Sequence, residues 1–99
     1  MTDTKSHLSR AERMEKLLKE LLTPQLFVLE DESSRHAGHA GARPGGETHY
    51  RARIVADAFN GLSRVERQRL VYGALREEFD TGLHALSLDL KTVAEASAS

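Results

Sequence analysis

Hydrophobic residues near the start of the chain recur with the spacing of one helical face. They lie at the i, i+3, i+4, i+7 and i+8 positions of an amphipathic helix: Met14, Leu17, Leu18, Leu21 and Leu22. Ser6 or Ser9 can cap the start of this helix, and Thr23-Pro24 ends it because proline disfavours helical geometry at the residue before it. The pattern predicts a first helix over residues 8–22.

Three later stretches have extended rather than helical periodicity. Residues 25–30 contain a four-residue apolar run that is too short for a helix, which predicts a buried strand. Residues 47–57 alternate apolar and polar side chains, with Tyr50 and Ile54 on one face and Arg51 on the other. Residues 84–90 alternate in the same way, with leucines on one face. These two stretches predict strands with one buried face each.

A second helical stripe separates the last two strands. Its members again follow the spacing of one helical face: Leu70, Val71, Ala74, Leu75 and Phe79. Ser63 and Glu66 match a capping box at the helix start, and Gly82 is placed to stop the helix. Val65 is out of phase with the stripe, which predicts a short first turn, a bend and then the main helix.

The order of these elements predicts an α+β fold. It reads helix, strand, strand, helix, helix, strand, with a weak alanine-rich helical turn at the end, and indicates a small three-stranded mixed sheet with helices packed on one face. We expect a flexible N-terminus at residues 1–7, a single domain at 8–92 and a tail at 93–99. Residues 31–46 are rich in glycine and lack periodicity, so they predict a long loop between the first two strands, and such loops are usually functional or disordered.

The composition narrows the function more than it narrows the fold. A formal net charge of -1 argues against a dominant phosphate-binding role, and the absence of cysteine excludes a disulfide framework, a thiolate nucleophile and a self-sufficient iron–sulfur site. No apolar run approaches the roughly 20 residues that span a bilayer, and no apolar segment lies near the N-terminus. We therefore expect a cytoplasmic protein without membrane contact.

Histidines are the candidate metal ligands. His36 and His39 lie in the glycine-rich loop as H-x-x-H, and imidazole is a suitable ligand for zinc, copper, iron or nickel. His84 follows the Gly82 turn at the start of the third strand, where a loop histidine can approach it. On the residues alone, a solvated loop and a hydrogen-bonded structural His84 are the favoured interpretations. His49 is predicted to lie on the exposed face of its strand.

Arginines form a second candidate site. Arg64, Arg67 and Arg69 lie near a helix start, where the helix dipole disfavours cations, so a bound anion would compensate them. The alternative is a solvated charged face balanced by nearby glutamates. The sequence contains no H-E-x-x-H, G-x-S-x-G or phosphate-loop motif, and we therefore expect that the protein is not an enzyme.

Four blocks in order resemble the BolA family. They are DESSRHAGHAG at 31–41, ETHY at 47–50 running into IVADAF at 54–59, RVERQRLVY at 64–72, and HALSL at 84–88. The set spans most of the chain. The resemblance implies a class II KH-like fold of the α+β class, which agrees with the element order predicted from periodicity.

The resemblance also implies a partner and a cofactor. BolA-like proteins pair with monothiol glutaredoxins, and a 2Fe-2S cluster can bridge the two proteins with help from glutathione. The implied ligands on the BolA side are a residue of the loop between the first two strands, here His36 or His39, and the histidine that opens the last strand, here His84. The expected role is iron–sulfur cluster assembly, trafficking or iron sensing, and two-histidine ligation raises the reduction potential of such clusters.

A different function is kept as the alternative. Some BolA relatives are described as DNA-binding transcriptional regulators, through the helical segment that here contains Arg64, Arg67, Arg69 and Arg76. Many family members carry histidine in this helix where the chain has Gln68. Gln68 falls beside the stripe of Val71 and Leu75, which predicts a partly buried side chain. The oligomeric state and the ligand pair are left open by the sequence.

Overall fold

A computed structural model of the chain describes residues 8–32 and 49–98. Its elements are α1 Arg10–Leu22, β1 Leu26–Asp31, β2 His49–Val55, a 3₁₀ turn at Asp57–Phe59, α2 Arg64–Ala74, α3 Arg76–Asp80, β3 Ala85–Lys91 and α4 Val93–Ala98. The predicted order of helices and strands is confirmed. Within the described part of the chain, no helix is both long and apolar enough to cross a bilayer.

The described strands form one mixed sheet in the order β1-β2-β3. β1 pairs antiparallel with β2, with Leu26 opposite Val55, and β2 pairs parallel with β3, with His49 opposite Ala85. A parallel pair cannot be joined by a tight turn, so the chain crosses over between β2 and β3 through α2 and α3. The mixed sheet expected from the sequence is confirmed.

The core lies on one face of this sheet. Alternate residues of β2, namely Tyr50, Ala52 and Ile54, are at most 2% exposed. They pack against buried residues of the helices and turns: Met14, Leu18, Leu22, Phe59, Val71, Leu75 and Leu83. Arg51 and Arg53 point to the opposite face and are exposed. The alternation read from the sequence is therefore the alternation of the sheet.

Helix α1 begins and ends at the predicted signals. The Ser9 hydroxyl accepts from the backbone N–H of Glu12, and the Glu12 carboxylate accepts from the N–H of Ser9 in return. The hydrogen bond from the Ser9 N–H lowers the pKa of the Glu12 carboxyl. The prediction of one buried stripe is wrong in part, because Leu17 and Leu21 are 42% and 47% exposed. Met14, Leu18 and Leu22 are the buried residues of α1, and Ala11 packs partly against the core.

Strand β1 is not the fully buried strand that its apolar run predicted. Its three middle residues, 27–29, are half-buried, whereas Leu26, Glu30 and Asp31 are exposed. The reason is topological, because β1 lies at the edge of the sheet and pairs only with β2 among the described strands. An apolar run can therefore belong to an edge strand when one of its faces packs on a helix.

The bend in the second helical segment lies later than predicted. Val65 belongs to the regular first turn of α2 and is 54% exposed, so the expected bend there is wrong. The break comes at Leu75, whose N–H is shared between the carbonyl oxygens of Val71 and Tyr72. Leu75 is buried at 1% exposure, and the break lets α3 turn away without removing this side chain from the core.

Candidate metal-ligand site at the start of strands β2 and β3

Two histidines meet where β2 and β3 begin. His49 is the first residue of β2 and lies opposite Ala85 in the parallel ladder, and His84 immediately precedes Ala85. The centroids of the two imidazole rings are 6.2 Å apart, and the ring planes are inclined by 26°. Parallel pairing thus brings together two imidazoles that are distant in the sequence.

The His84 side chain is exposed and oriented by the backbone. Its Nδ1 lies 3.1 Å from the carbonyl oxygen of Gly82. A carbonyl only accepts hydrogen bonds, so this contact places the proton of the neutral imidazole on Nδ1 and leaves the Nε2 lone pair for a Lewis acid. Metal-binding histidines commonly donate their second ring N–H to a carbonyl in this way. A neutral His84 that donates from Nδ1 to this carbonyl would offer Nε2 to a metal.

The turn before His84 requires glycine. Gly82 has a φ of 132°, and a Cβ added there would lie 3.1 Å from Nη2 of Arg10. Leu83, between Gly82 and His84, is 4% exposed and anchors the turn in the core. The backbone before His84 is therefore fixed by the buried side chain of Leu83 and by the close approach of Arg10 to Gly82.

An ion-pair network joins this turn to the start of α1. Arg10 Nη1 donates to Oε1 of Glu78 at 2.7 Å, and Arg10 Nη2 donates to the Thr81 carbonyl at 3.0 Å. Arg13 Nε donates to Oε2 of Glu78 at 2.9 Å. The hydrogen bonds from Arg13 and Arg10 lower the pKa of the Glu78 carboxyl, although burial acts to raise it. The ionised carboxylate of Glu78 thus helps to fix the chain four residues before Gly82.

The ends of the segment between β1 and β2 are fixed at this same end of the sheet. The N–H of Glu32 donates to the carbonyl oxygen of His49 at 2.8 Å, which continues the ladder beyond the last register pair of β1. His36 and His39, the predicted loop ligands, lie outside the described residues, and their role stays a prediction. His36 follows Glu32 by four positions in the chain.

Sequence reasoning missed the position of His49. It placed His49 correctly on the outer face of β2, but it did not bring the residue to His84. The available signal was the ETHY block, which puts this histidine at the first position of a strand. Only the parallel order of β2 and β3 converts that position into a neighbour of His84.

The donor set fits a cluster that is completed by other molecules. Within residues 8–32 and 49–98, no group of three or more histidine, cysteine, aspartate or glutamate side chains is arranged to hold a metal ion. His84 offers an exposed imidazole nitrogen, a suitable ligand for iron, and the chain has no cysteine to supply thiolates. A metal group held by His84 would therefore need ligands from beyond the described residues.

The structure separates the four arginines of the alternative hypothesis. Arg64, Arg69 and Arg76 are exposed, whereas Arg67 is 7% exposed. Arg67 donates to the carbonyl oxygens of Leu62 and Leu90 and to both carboxylate oxygens of Glu95. All three side-chain nitrogens of Arg67 are thus bonded internally, unlike those of an exposed arginine, and the nucleic-acid role of the four arginines stays a prediction.

Gln68 is also placed differently from the prediction. Its side chain is exposed and lines a cleft between α2 and β3, so the expected partial burial is wrong. The side chain of the neighbouring Arg67 is buried instead, because its aliphatic stem and guanidinium fit between α2 and the edge of β3.

The chain matches known proteins over most of its length. A family model described as BolA-like protein matches residues 5–95. The protein BOLA1, chloroplastic, of Arabidopsis thaliana is 51% identical over 90 residues, which cover 89% of this chain and 56% of that protein. BolA-like protein 1 of Homo sapiens is 42% identical over 78 residues, which cover 79% of this chain and 54% of that protein. The chain thus spans about half the length of these relatives.

Solved structures agree with the fold. BolA1 from Arabidopsis thaliana has a TM-score of 0.80 and 50% identity, covering 89% of this chain and 96% of that chain. The BolA domain of SufE1 from the same plant has a TM-score of 0.78 and 48% identity, covering 89% and 96%. Family match, identity and fold agree, and the chain belongs to the BolA-like family.

Proposed function

We propose that the chain is an adaptor that binds a monothiol glutaredoxin and shares a glutathione-dependent 2Fe-2S cluster with it. Its role would be iron–sulfur cluster assembly or trafficking, or iron sensing. The observation that carries the proposal is the convergence of His84, His49 and both ends of the segment that contains His36 and His39 at one end of the sheet.

The chemistry of His84 supports a ligand role. The hydrogen bond from Nδ1 to the Gly82 carbonyl leaves Nε2 as the coordinating atom, and the exposed position lets a partner protein approach it. One loop histidine, His36 or His39, would supply the second imidazole. When bound, the cluster would supply an iron that carries imidazole in place of thiolate ligands, which favours sensing or transfer over low-potential electron transport.

A relative points in the same direction. SufE-like protein 1 of Arabidopsis thaliana is 48% identical to this chain over 91 residues, which cover 88% of the chain and 24% of that protein. The same kind of domain is thus found in a much longer protein whose name includes SufE, and this supports a role in iron–sulfur metabolism. The glutaredoxin partner comes from the family resemblance and needs a direct test.

The test mixes the chain with a cluster-loaded monothiol glutaredoxin and follows visible absorption and circular dichroism. Native chain should change the cluster spectrum, and His84→Ala should not, because the variant lacks the oriented Nε2. His7→Ala is a matched control that removes a histidine from the N-terminus and should behave as the native chain. Single His36→Ala and His39→Ala variants identify the second ligand.

Each outcome has a distinct meaning. A spectral change that survives His84→Ala would contradict ligation by His84 while leaving glutaredoxin binding intact. An unchanged spectrum with the native chain would reject the cluster proposal altogether. DNA binding would then be examined through its salt dependence, with Arg64, Arg69 and Arg76 as the arginines whose side chains are exposed.

A further inference from the structure

A cleft of about 290 Å³ lies between α2 and β3, at the opposite end of the sheet from His84. Its lining includes three cations and two carboxylates, with Gln68 between them: Arg64, Arg67, Lys91, Asp89 and Glu95. The cluster-sharing proposal makes no use of this region. The cleft therefore needs a separate explanation.

Arg67 is held in the cleft independently of any carboxylate. Its side chain is 9% exposed, its Nε donates to the Leu62 carbonyl at 3.0 Å, and its Nη1 donates to the Leu90 carbonyl at 3.2 Å. The guanidinium also lies 6.0 Å from the centroid of the Phe59 ring. Two backbone carbonyls and a ring thus fix the orientation of a buried cation whose outer N–H groups remain available for an anion.

Glu95 occupies those outer N–H groups. Its two carboxylate oxygens accept from Nη1 and Nη2 of Arg67 at 2.6 and 3.2 Å, which is the two-oxygen contact that guanidinium makes with carboxylate or phosphate. The Glu95 side chain is nevertheless 49% exposed. A partly solvated carboxylate therefore fills the position of an oxyanion ligand on a buried arginine.

The helix that carries Glu95 is weakly attached. α4 has six residues, and none of them is buried. Its first turn is closed by Thr92 and Glu95, since the Thr92 N–H donates to Glu95 Oε1 at 2.8 Å and the Thr92 hydroxyl accepts from the N–H of Glu95 at 3.1 Å. A helix this short has little stability of its own, so its contact with β3 and the pairing of Glu95 with Arg67 both help to hold it.

The edge of β3 supplies further donors to this cleft. The Lys91 carbonyl accepts from Ala56 on the β2 side, so the backbone groups of Leu86, Leu88 and Leu90 point away from β2. The carbonyl oxygens of Leu86 and Leu90 accept from Tyr72 and Arg67. Leu88 lies between them and lines the cleft, so its backbone N–H faces the same space as Gln68.

We propose that this cleft is a binding site for a phosphate monoester, and that Glu95 is a built-in competitor that closes it. When Glu95 leaves, three cations face one carboxylate, and that carboxylate, Asp89, is itself 3.7 Å from Arg53. The resulting excess of positive charge suits a dianion better than it suits a carboxylate. Binding would release α4, so the C-terminal helix would report the occupancy of the cleft. This inference is independent of cluster sharing.

The test compares phosphate affinity between native chain and Glu95→Gln, by titrating inorganic phosphate at about neutral pH and fixed ionic strength while following backbone amide resonances. Glu95→Gln should bind phosphate about tenfold more tightly or better, because the competitor is weakened. Glu20→Gln is the charge-matched control, since Glu20 is exposed on α1 and pairs with Lys16 at 3.6 Å. Its affinity should stay within about twofold of the native value. Equal affinities in all three proteins would overturn the proposal.

An additional variant, a measurement on the native chain and other ligands test the assignment of the cleft and the choice of ligand. Arg64→Ala in the Glu95→Gln background should weaken phosphate binding again, and no effect would overturn the assignment of the cleft. If Glu95→Gln fails to fold, the native chain decides, because phosphate should shift the amide resonances of Thr92 and Glu95, and unshifted resonances reject the proposal. Phenyl phosphate should bind like phosphate. Stronger binding of acetate or of a DNA duplex would overturn the choice of a monoester.

Discussion

The two ends of the β2–β3 pair satisfy their polar groups in different ways. At the end where the strands finish, the Ala56 N–H donates to the Lys91 carbonyl, and Arg67 joins Leu62, Leu90 and Glu95. At the end where they start, His84 is exposed, and one of its ring nitrogens is held by the Gly82 carbonyl. One end is closed by internal hydrogen bonds, and the other directs an imidazole outward.

From this difference we expect the closed end to contribute stability and the open end to carry the proposed ligand chemistry. A buried polar group with all of its partners inside the protein stabilises the fold, because removing it leaves other buried groups unsatisfied. An exposed imidazole contributes little to folding and is free to bind a partner. The largest effects on stability should therefore come from the closed end and the largest effects on function from the open end.

Arg67→Ala should have the largest effect on stability. It removes the donors of the Leu62 and Leu90 carbonyls and leaves a void beside Phe59, which should lower the free energy of unfolding by about 2–4 kcal/mol. Urea unfolding followed by circular dichroism measures the change. Arg69→Ala, an exposed arginine of the same helix, is the control and should change stability by less than about 0.5 kcal/mol. Equal effects of the two variants would refute the distinction between the ends.

Glu78→Gln should have an intermediate effect. The side chain is 13% exposed and accepts from both Arg10 and Arg13, so loss of its charge should reduce stability by about 1–2 kcal/mol. Because the same network fixes the Thr81 carbonyl, the variant should also weaken, without abolishing, the effect of the chain on a glutaredoxin cluster. Urea unfolding and the visible spectrum test the two expectations separately. An unchanged cluster spectrum would show that the ion-pair network of Glu78 with Arg10 and Arg13 does not position His84.

The pH dependence of the closed end should follow Glu95. Its hydrogen bonds with Arg67, aided by the Thr92 N–H, lower the pKa of Glu95 from 4.5 to about 2. The stabilisation from this carboxylate is thus present above pH 4.5 and is lost as the pH falls toward about 2. The stability difference between native chain and Glu95→Gln should shrink across that window, as measured by urea unfolding at several pH values. A constant difference would indicate that the ionised pair does not stabilise the fold.

His84→Ala should have the smallest effect on stability. The side chain is exposed and contacts the His49 ring and the Gly82 carbonyl, so the free energy of unfolding should change by less than about 0.5 kcal/mol. The same variant should abolish the change in the cluster spectrum. Urea unfolding in parallel with the visible spectrum separates the two properties. A destabilised His84→Ala protein would mean that the histidine is structural, and the contrast between the ends would fail.

Elements with strong local signals were predicted well. Ser63 caps α2 as the capping-box pattern indicated, and Ser9, one of the two predicted candidates, caps α1. Alternating residues of β2 face the core. These features depend on neighbours within a few positions, so local sequence contains the information. Segments whose burial depends on distant elements were predicted less well, as the exposure of Leu17 and the edge position of β1 show.

The candidate site was predictable only in part for the same reason. His84 was identified from the turn before it and from its block of resemblance, whereas the neighbouring His49 was assigned to an ordinary exposed face. Whether His36 or His39 joins them stays a prediction. The sequence also did not show that Arg67 is buried and Gln68 exposed. Adjacent residues on a helix point in different directions, and packing decides which of them is buried.

The sequence by itself determined the class of fold, the order of elements, the cysteine-free ligand chemistry and the family. The tertiary structure decided which residues meet: His49 with His84, and Arg67 with Glu95. Periodicity and capping are properties of short segments, and residue types are fixed wherever the chain goes. Contacts across the sheet depend on strand direction and register, which arise only when distant segments pack together.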